Sequence, residues 1–191
     1  MEKQFKILAF AGSLRKSSYN KALIRAAVEL APQNVAIEVF DLEGIPPFNQ
    51  DFESTPVQRV IEFKTKIKNA DALLIATPEY NYSIPGVLKN AIDCASRPYK
   101  DNSLKGKPVA VMSASSGKLG GARAQYHLRQ SFVFLNMFPV NQPEVILASA
   151  ADNVDGQGRV TNEQTRTLIK QLIEGLVDWT NQLKCKPVKD F

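Results

Sequence analysis

The chain has 191 residues, 44% of them hydrophobic and 23% charged, with a formal net charge of +5. That size and balance fit one globular domain with a full core. They exclude a membrane-spanning protein, because no stretch approaches the roughly 18 apolar residues that a span needs. The start, Met1-Glu2-Lys3-Gln4-Phe5, lacks the plan of a signal peptide. Cys94 and Cys185 stand far apart and form no Cys-x-x-Cys pair, which excludes a disulfide framework and a metal site and predicts a reducing cytoplasm. The positive charge is spread along the chain and is densest in the tail at 184–189. Without a basic helix interleaved with aromatics it predicts no nucleic-acid binding, and it favours small anionic ligands.

The segment Phe5 to Ala11 is a short apolar run that ends in Gly12-Ser13 and leads into a helical pattern, which reads as a buried strand, a tight loop and a helix start. The helix carries Leu23, Ala26, Ala27 and Leu30 at helical spacing, and Val35 to Phe40 is a second strand. Residues 43–52, with Gly44, Pro46, Pro47 and Asn49, form a long loop. A second helix is predicted to begin at Thr55-Pro56, with a stripe of Val57, Ile61 (with Val60), the Lys64 stem and Ile67. Asp71 to Ala76 is a third strand, apolar enough to be central, and Val87 to Ala95 a short helix. Pro108 to Met112 is the fourth strand, followed by a helix from Gly121 to Leu135. Val145 to Ala148 is the fifth, and a last amphipathic helix runs from Glu163 to Leu183 with Leu168, Leu172, Leu176 and Trp179. Apolar strands alternating with helices predict an α/β fold: a flavodoxin-like, doubly wound, five-stranded parallel sheet of order 2-1-3-4-5 with helices on both faces. The whole chain, 1–191, reads as one domain with its core at about 5–183 and a basic tail at 184–191.

In such a sheet, ligands bind beyond the carboxyl ends of the strands, near the switch point between strands 1 and 3. The unusual loops lie there. The first, Gly12-Ser13-Leu14-Arg15-Lys16-Ser17-Ser18-Tyr19-Asn20, offers backbone amides, a helix N-terminus, three hydroxyls, an amide and a guanidinium, a set suited to a phosphate monoester. It lacks the Gly-Lys-Ser/Thr of a Walker loop, and Leu14 and Ser17 stand where a dinucleotide fingerprint needs glycine. The second, Thr77-Pro78-Glu79-Tyr80-Asn81-Tyr82-Ser83-Ile84-Pro85-Gly86, is aromatic and bounded by prolines. The third, Ser113-Ala114-Ser115-Ser116-Gly117-Lys118-Leu119-Gly120-Gly121, is made of small residues that let a flat ligand approach the backbone. A phosphate on the first loop and a planar, polar-edged ring against the other two describe flavin mononucleotide.

The run Gly12-Ser13-Leu14-Arg15-x-x-Ser18-x-Asn20, with Pro78-Glu79-Tyr80-Asn81-Tyr82-Ser83-x-Pro85-Gly86-x-Leu88-Lys89-Asn90-Ala91-Ile92-Asp93, resembles the NAD(P)H-dependent FMN reductase family. The segment Gly120-Gly121-Ala122-Arg123-x-Gln125-Tyr126-His127-Leu128-Arg129-Gln130 is similar to its quinone, chromate and azo-dye reductase branch. The resemblance covers residues 5 to 183, without a departure at a motif position. It implies FMN held at the phosphate by Ser13, Arg15, Ser18 and Asn20, and around the ring by Pro78, Glu79, Tyr80, Asn81 and Tyr82 with Ser115, Ser116 and Gly117. It also implies a homodimer or homotetramer with the flavin near a subunit interface.

Catalysis would then belong to the cofactor: NADPH or NADH delivers a hydride to the flavin, leaves, and a small-molecule acceptor takes its place, in ping-pong order. Quinones, free flavin, azo and nitro compounds and chromate all suit an open flavin face. No Ser/His/Asp or Cys/His set can be assembled from the sequence, so no catalytic side chain is expected. His127, the only histidine, is assigned to packing or an interface, Cys94 to the core, and Glu79 to structure or flavin positioning. Arg123, Tyr126 and Arg129 share a helix face, with Tyr82 or Glu144 of a neighbouring subunit as candidate partners. The alternatives are a flavodoxin-like electron carrier, which the basic charge disfavours, and an FMN-binding module without turnover.

Overall fold

The computed structural model describes residues 4–185. The strands that the apolar runs predict form a parallel sheet: β1 (Phe5–Ala11), β2 (Val35–Phe40), β3 (Ala72–Thr77) and β4 (Pro108–Ala114), in the order β2-β1-β3-β4. Every residue of β3 and β4 is buried, and in β1 only Lys6 is not. These three strands lie between two layers of helices, and their lack of polar alternation follows from that burial.

Helix α1 (Tyr19–Leu30) and the last helix, α6 (Glu163–Cys185), cover one face. Helices α2 (Gln58–Asn69), α3 (Gly86–Ala95) and α4 (Ala122–Leu135) cover the other. The second face is closed by Phe63, which packs edge-on to Phe10 and stacks on Phe40 with ring centroids 5.3 and 4.9 Å away. A short helix, α5 (Ala150–Asn153), precedes α6.

The structure differs from the sequence reading at two elements. The fifth sheet position holds two short strands, β5 (Phe138–Pro139) and β6 (Val145–Leu147), both paired with β4. Phe138 and Val140 donate to the Lys107 and Val109 carbonyls at 3.0 and 2.8 Å, so Pro139 between them costs the ladder no bond. Pairing lapses beyond Val140, where Pro143 has no amide hydrogen to offer, and resumes at Val145. Helix α2 begins at Gln58, with Val57 at its N-cap, so Pro56 lies in the turn before it. Its buried stripe is Val60, Phe63, Lys64 and Ile67, while Val57 and Ile61 are exposed. The expected central third strand, buried Lys64 stem and amphipathic last helix match the structure. The basic tail lies outside the described residues beyond Cys185.

One side chain ties the carboxyl ends of the sheet together. The last residue pair of β3 and β4 is Thr77 with Ser113. At the next residue of β4, Asn20 takes over: its Nδ2 donates to the Ala114 carbonyl at 2.9 Å, and its Oδ1 accepts from the Ala114 amide at 3.0 Å. Asn20 is buried, as is Ala114. An Asn20→Ala substitution leaves both backbone groups without a partner away from water. We expect a loss of roughly 2–4 kcal/mol, the cost of two such groups, measured by urea unfolding of the flavin-free chain against the wild type.

Candidate functional site

Loop 1 runs between β1 and α1. The Gly12 amide still belongs to the sheet, donating to Ala76 at 2.8 Å. A side chain at Gly12 would bring its Cβ to 3.1 Å from Leu88 of α3, so the loop starts as close to that helix as a bare backbone allows. Ser18 closes the loop as the N-cap of α1, its Oγ accepting from the amides of Asn20 at 3.2 Å and Lys21 at 3.4 Å. Its hydroxyl proton is left to donate outward. The amides of Ser13, Leu14, Arg15, Lys16 and Ser17 donate to no other group among the described residues. A run of unbonded amides at a helix N-terminus, beside the buried Ser13 and the exposed Arg15, is an anion cradle. Arg15 lies over the Tyr19 ring at 5.0 Å, a contact that leaves its N–H fork free. Asn20 faces inward to Ala114, so it fixes where the cradle sits instead of reaching into it.

Loop 2 follows β3 and carries backbone strain. Asn81 and Tyr82 both have positive φ, 50° and 66°. The Tyr80 and Ser83 amides each donate to the other residue's carbonyl at 2.9 Å. Positive φ at both central residues makes this a type I′ turn, a conformation in which Asn is tolerated and Tyr is rare. The turn puts Tyr80, Asn81 and Tyr82 on the surface and leaves the Asn81 and Tyr82 amides unbonded. Pro78 and the Glu79 side chain lie beneath it, the latter only 8% exposed.

Glu79 Oε1 accepts from Nε and Nη2 of Arg123 on α4. The Arg123 guanidinium also covers the Tyr82 ring, 3.5 Å from its centroid. The bond to Glu79 raises the Arg123 pKa above its ordinary value, so the guanidinium stays charged. The second Glu79 oxygen, Oε2, is buried without a partner. The contact between Arg123 and Tyr82 is therefore made within one chain, where the sequence reading had a neighbouring subunit in view. Arg129 bonds Asn141 and the Val140 carbonyl, and Tyr126 is exposed.

Loop 3 is fastened at its base and open at its tip. Ser115 bonds Leu147 and Ala150 through its backbone, and the Gly117 carbonyl accepts from Gly120 and Ser149 at 3.3 Å. Ser116, Gly117, Lys118 and Leu119 are exposed. The loop enters α4 through Gly120 and Gly121, at φ 60° and 90°. A Cβ at Gly121 would stand 2.8 Å from that of Ser113, so a side chain there would push α4 off β4. Gln125, one turn into α4, donates to Ser113 Oγ and to the Val145 carbonyl, both at 2.9 Å.

The structure thus brings all three loops to the carboxyl ends of β1, β3 and β4; of the predicted site residues Asn20 turns inward to Ala114, and Pro78 and the Glu79 side chain are buried beneath the loop 2 turn. The sequence reading missed a Ser–His contact: Ser83 Oγ and His127 Nδ1 are 2.9 Å apart across 44 positions. Neither residue carries a spacing that could have revealed it. Cys94 is buried, and that burial, with Asp93 beside it, raises its thiol pKa and makes it a poor nucleophile. A cavity of about 710 Å³ lies apart from the three loops, between residues 46–57, α2 and the end of α3, and shares no residue with them. Among the described residues no group of His, Cys, Asp and Glu could hold a metal ion, and no helix is long and apolar enough to cross a membrane.

The arrangement fits FMN on structural grounds: a cradle of free amides and hydroxyls at one end, and unbonded turn amides beside aromatic rings at the other. Comparison with known proteins agrees. The sequence pattern of the family described as NADPH-dependent FMN reductase matches residues 5–152. The chain is 48% identical over 185 residues to an NAD(P)H-dependent FMN reductase of Pseudomonas aeruginosa, covering 96% of this chain and 100% of that one. It is 40% identical over 180 residues to a quinone reductase of Pseudomonas putida, covering 94% and 96%. Among solved structures, FerB of Paracoccus denitrificans, a flavoenzyme NAD(P)H:(acceptor) oxidoreductase, superposes with a TM-score of 0.85 at 35% identity, covering 93% of this chain and 98% of FerB. The chain belongs to the NADPH-dependent FMN reductase family of oxidoreductases.

Proposed function

We propose that the protein binds FMN across the three loops and uses NAD(P)H to reduce quinones, with free flavin, azo and nitro compounds and chromate as further acceptors. The observation that carries this reading is the pairing of an anion cradle at loop 1 with a strained, amide-presenting turn at loop 2, both at the carboxyl end of one parallel sheet. When bound, FMN supplies the redox chemistry, taking a hydride from NAD(P)H and passing reducing equivalents to the acceptor in a ping-pong cycle.

The chain's own residues bind and orient. Ser13, Arg15 and Ser18 hold the phosphate, with the free amides of 13–17 donating to its remaining oxygens. The Asn81 and Tyr82 amides and the Asn81 side chain bond the pyrimidine edge of the ring. Tyr80 or Tyr82 packs against the ring system, Pro78 and Glu79 support the turn from below, and Ser115, Ser116 and Gly117 let the ring approach the backbone. No side chain is asked to act as a nucleophile. Exposed cations at Arg15, Lys16 and Lys118 draw the anionic hydride donor toward the site.

We also read the protein as a cytoplasmic homodimer or homotetramer. Supporting the assembly, Val133 and Phe134 of α4 are 83% and 78% exposed, an apolar face that a second copy would cover.

The purified protein should show flavin absorption that bleaches when NADPH is added without oxygen and returns when a quinone follows. Bound flavin that stays oxidised under NADPH would instead mark an electron carrier. Arg15→Ala should weaken FMN binding by about 1.5–3 kcal/mol, the worth of a charge-assisted hydrogen bond, read as loss of flavin on dialysis. Retention equal to the wild type would remove Arg15 from the phosphate site.

A further inference from the structure

The turn at Asn81–Tyr82 is costly to maintain. A left-handed conformation is disfavoured by about 1–2 kcal/mol for a residue other than glycine, and Tyr82 lacks the short polar side chain that eases it. The two bonds between Tyr80 and Ser83 close the turn but do not choose its hand. From outside, Arg123 grips the residue before the turn and the turn's second central residue, bonding Glu79 and covering the Tyr82 ring. One helical turn farther along α4, on the same side, His127 reaches Ser83 at the turn's last residue.

We propose that His127 is a positioning residue for the flavin loop, acting through Ser83 as the second of two holds by which α4 keeps the Asn81–Tyr82 turn in its left-handed form. This rests on the FMN reading of the site. His127 is exposed, so core packing does not require it there. Its bond is the one side-chain hydrogen bond to Ser83 among the described residues. The contact survives either state of the ring: Ser83 donates to a bare Nδ1 and accepts from a protonated one. A nucleophilic role does not fit, since no carboxylate orients the ring and the turn carries no second donor pair for an oxyanion.

The test uses the full-length protein without flavin and follows hydrogen–deuterium exchange of the peptide covering residues 79–84. His127→Leu and Ser83→Ala should each speed exchange there by about threefold to tenfold, the effect of one side-chain hydrogen bond. Exchange in β3 should not change. His127→Asn, whose amide places a polar atom where Nδ1 stood, should restore protection. The double variant should be no faster than either single one. FMN is then added, and the same variants should bind it more weakly by a similar factor, with altered visible circular dichroism of the bound ring.

Unchanged exchange in His127→Leu would overturn the proposal, as would additive effects in the double variant. Faster exchange with wild-type FMN affinity and dichroism would show that the turn is held but that the hold does not position flavin, which also overturns it. If the wild type takes up no FMN, the flavin reading fails on its own, and the positioning of a flavin loop falls with it even where the exchange result stands.

Discussion

Everything in this molecule that can do chemistry is confined by one constraint. β3 and β4 are buried along their whole length, and β1 is buried but for Lys6. No polar side chain can stand in such strands without a partner. Polar groups meant for a ligand must therefore sit where the strands end. At the amino ends, the chain places ordinary connections and exposed lysines paired with acids, such as Lys184 with Asp71. At the carboxyl ends it places the three loops. Their proximity is a result of strand order: β1, β3 and β4 are neighbours, so loops far apart in sequence become neighbours too.

Helix α4 links two of those loops. Its start is pinned against β4 by Gly121 and Gln125, so it can neither slide nor lift without breaking contacts to Ser113 and Val145. From that fixed base it sends Arg123 and His127 to the turn of loop 2. The strain in the turn is thus balanced by a rigid element and not by the loop itself. A turn held this way is pre-shaped before any ligand arrives, which lowers the ordering cost of binding.

Much of this was legible in the sequence, and the rest was hidden for definable reasons. Apolar runs without alternation identified the parallel sheet, because burial on both faces leaves its mark on every residue. The loops stood out because prolines, glycines, hydroxyls and aromatics clustered directly after strands. The split fifth strand was missed since the two-residue strand at Phe138–Pro139 is too short to show a period, and the break before Val145 falls at Pro143. The start of α2 was misplaced by two residues because Pro56 suits the turn before a helix as well as its first position. Asn20 was grouped with the phosphate loop by its place in that run and by the family resemblance. Its direction depends on the bare end of β4 across the sheet, 94 positions away. Contacts such as Ser83 with His127 lie beyond sequence reading in principle, since no local spacing encodes them.

The tie between Asn20 and Ala114 has a geometric consequence of its own. Asn20 stands just after loop 1, and Ala114 just before the exposed part of loop 3. Two buried hydrogen bonds therefore set the span between the anion cradle and the wall against which a ring would lie. On the proposed reading the span is set by the folded chain before a ligand arrives. A molecule whose charged end and flat end are separated by another length would satisfy one end or the other, so such a site would select by length as well as by charge.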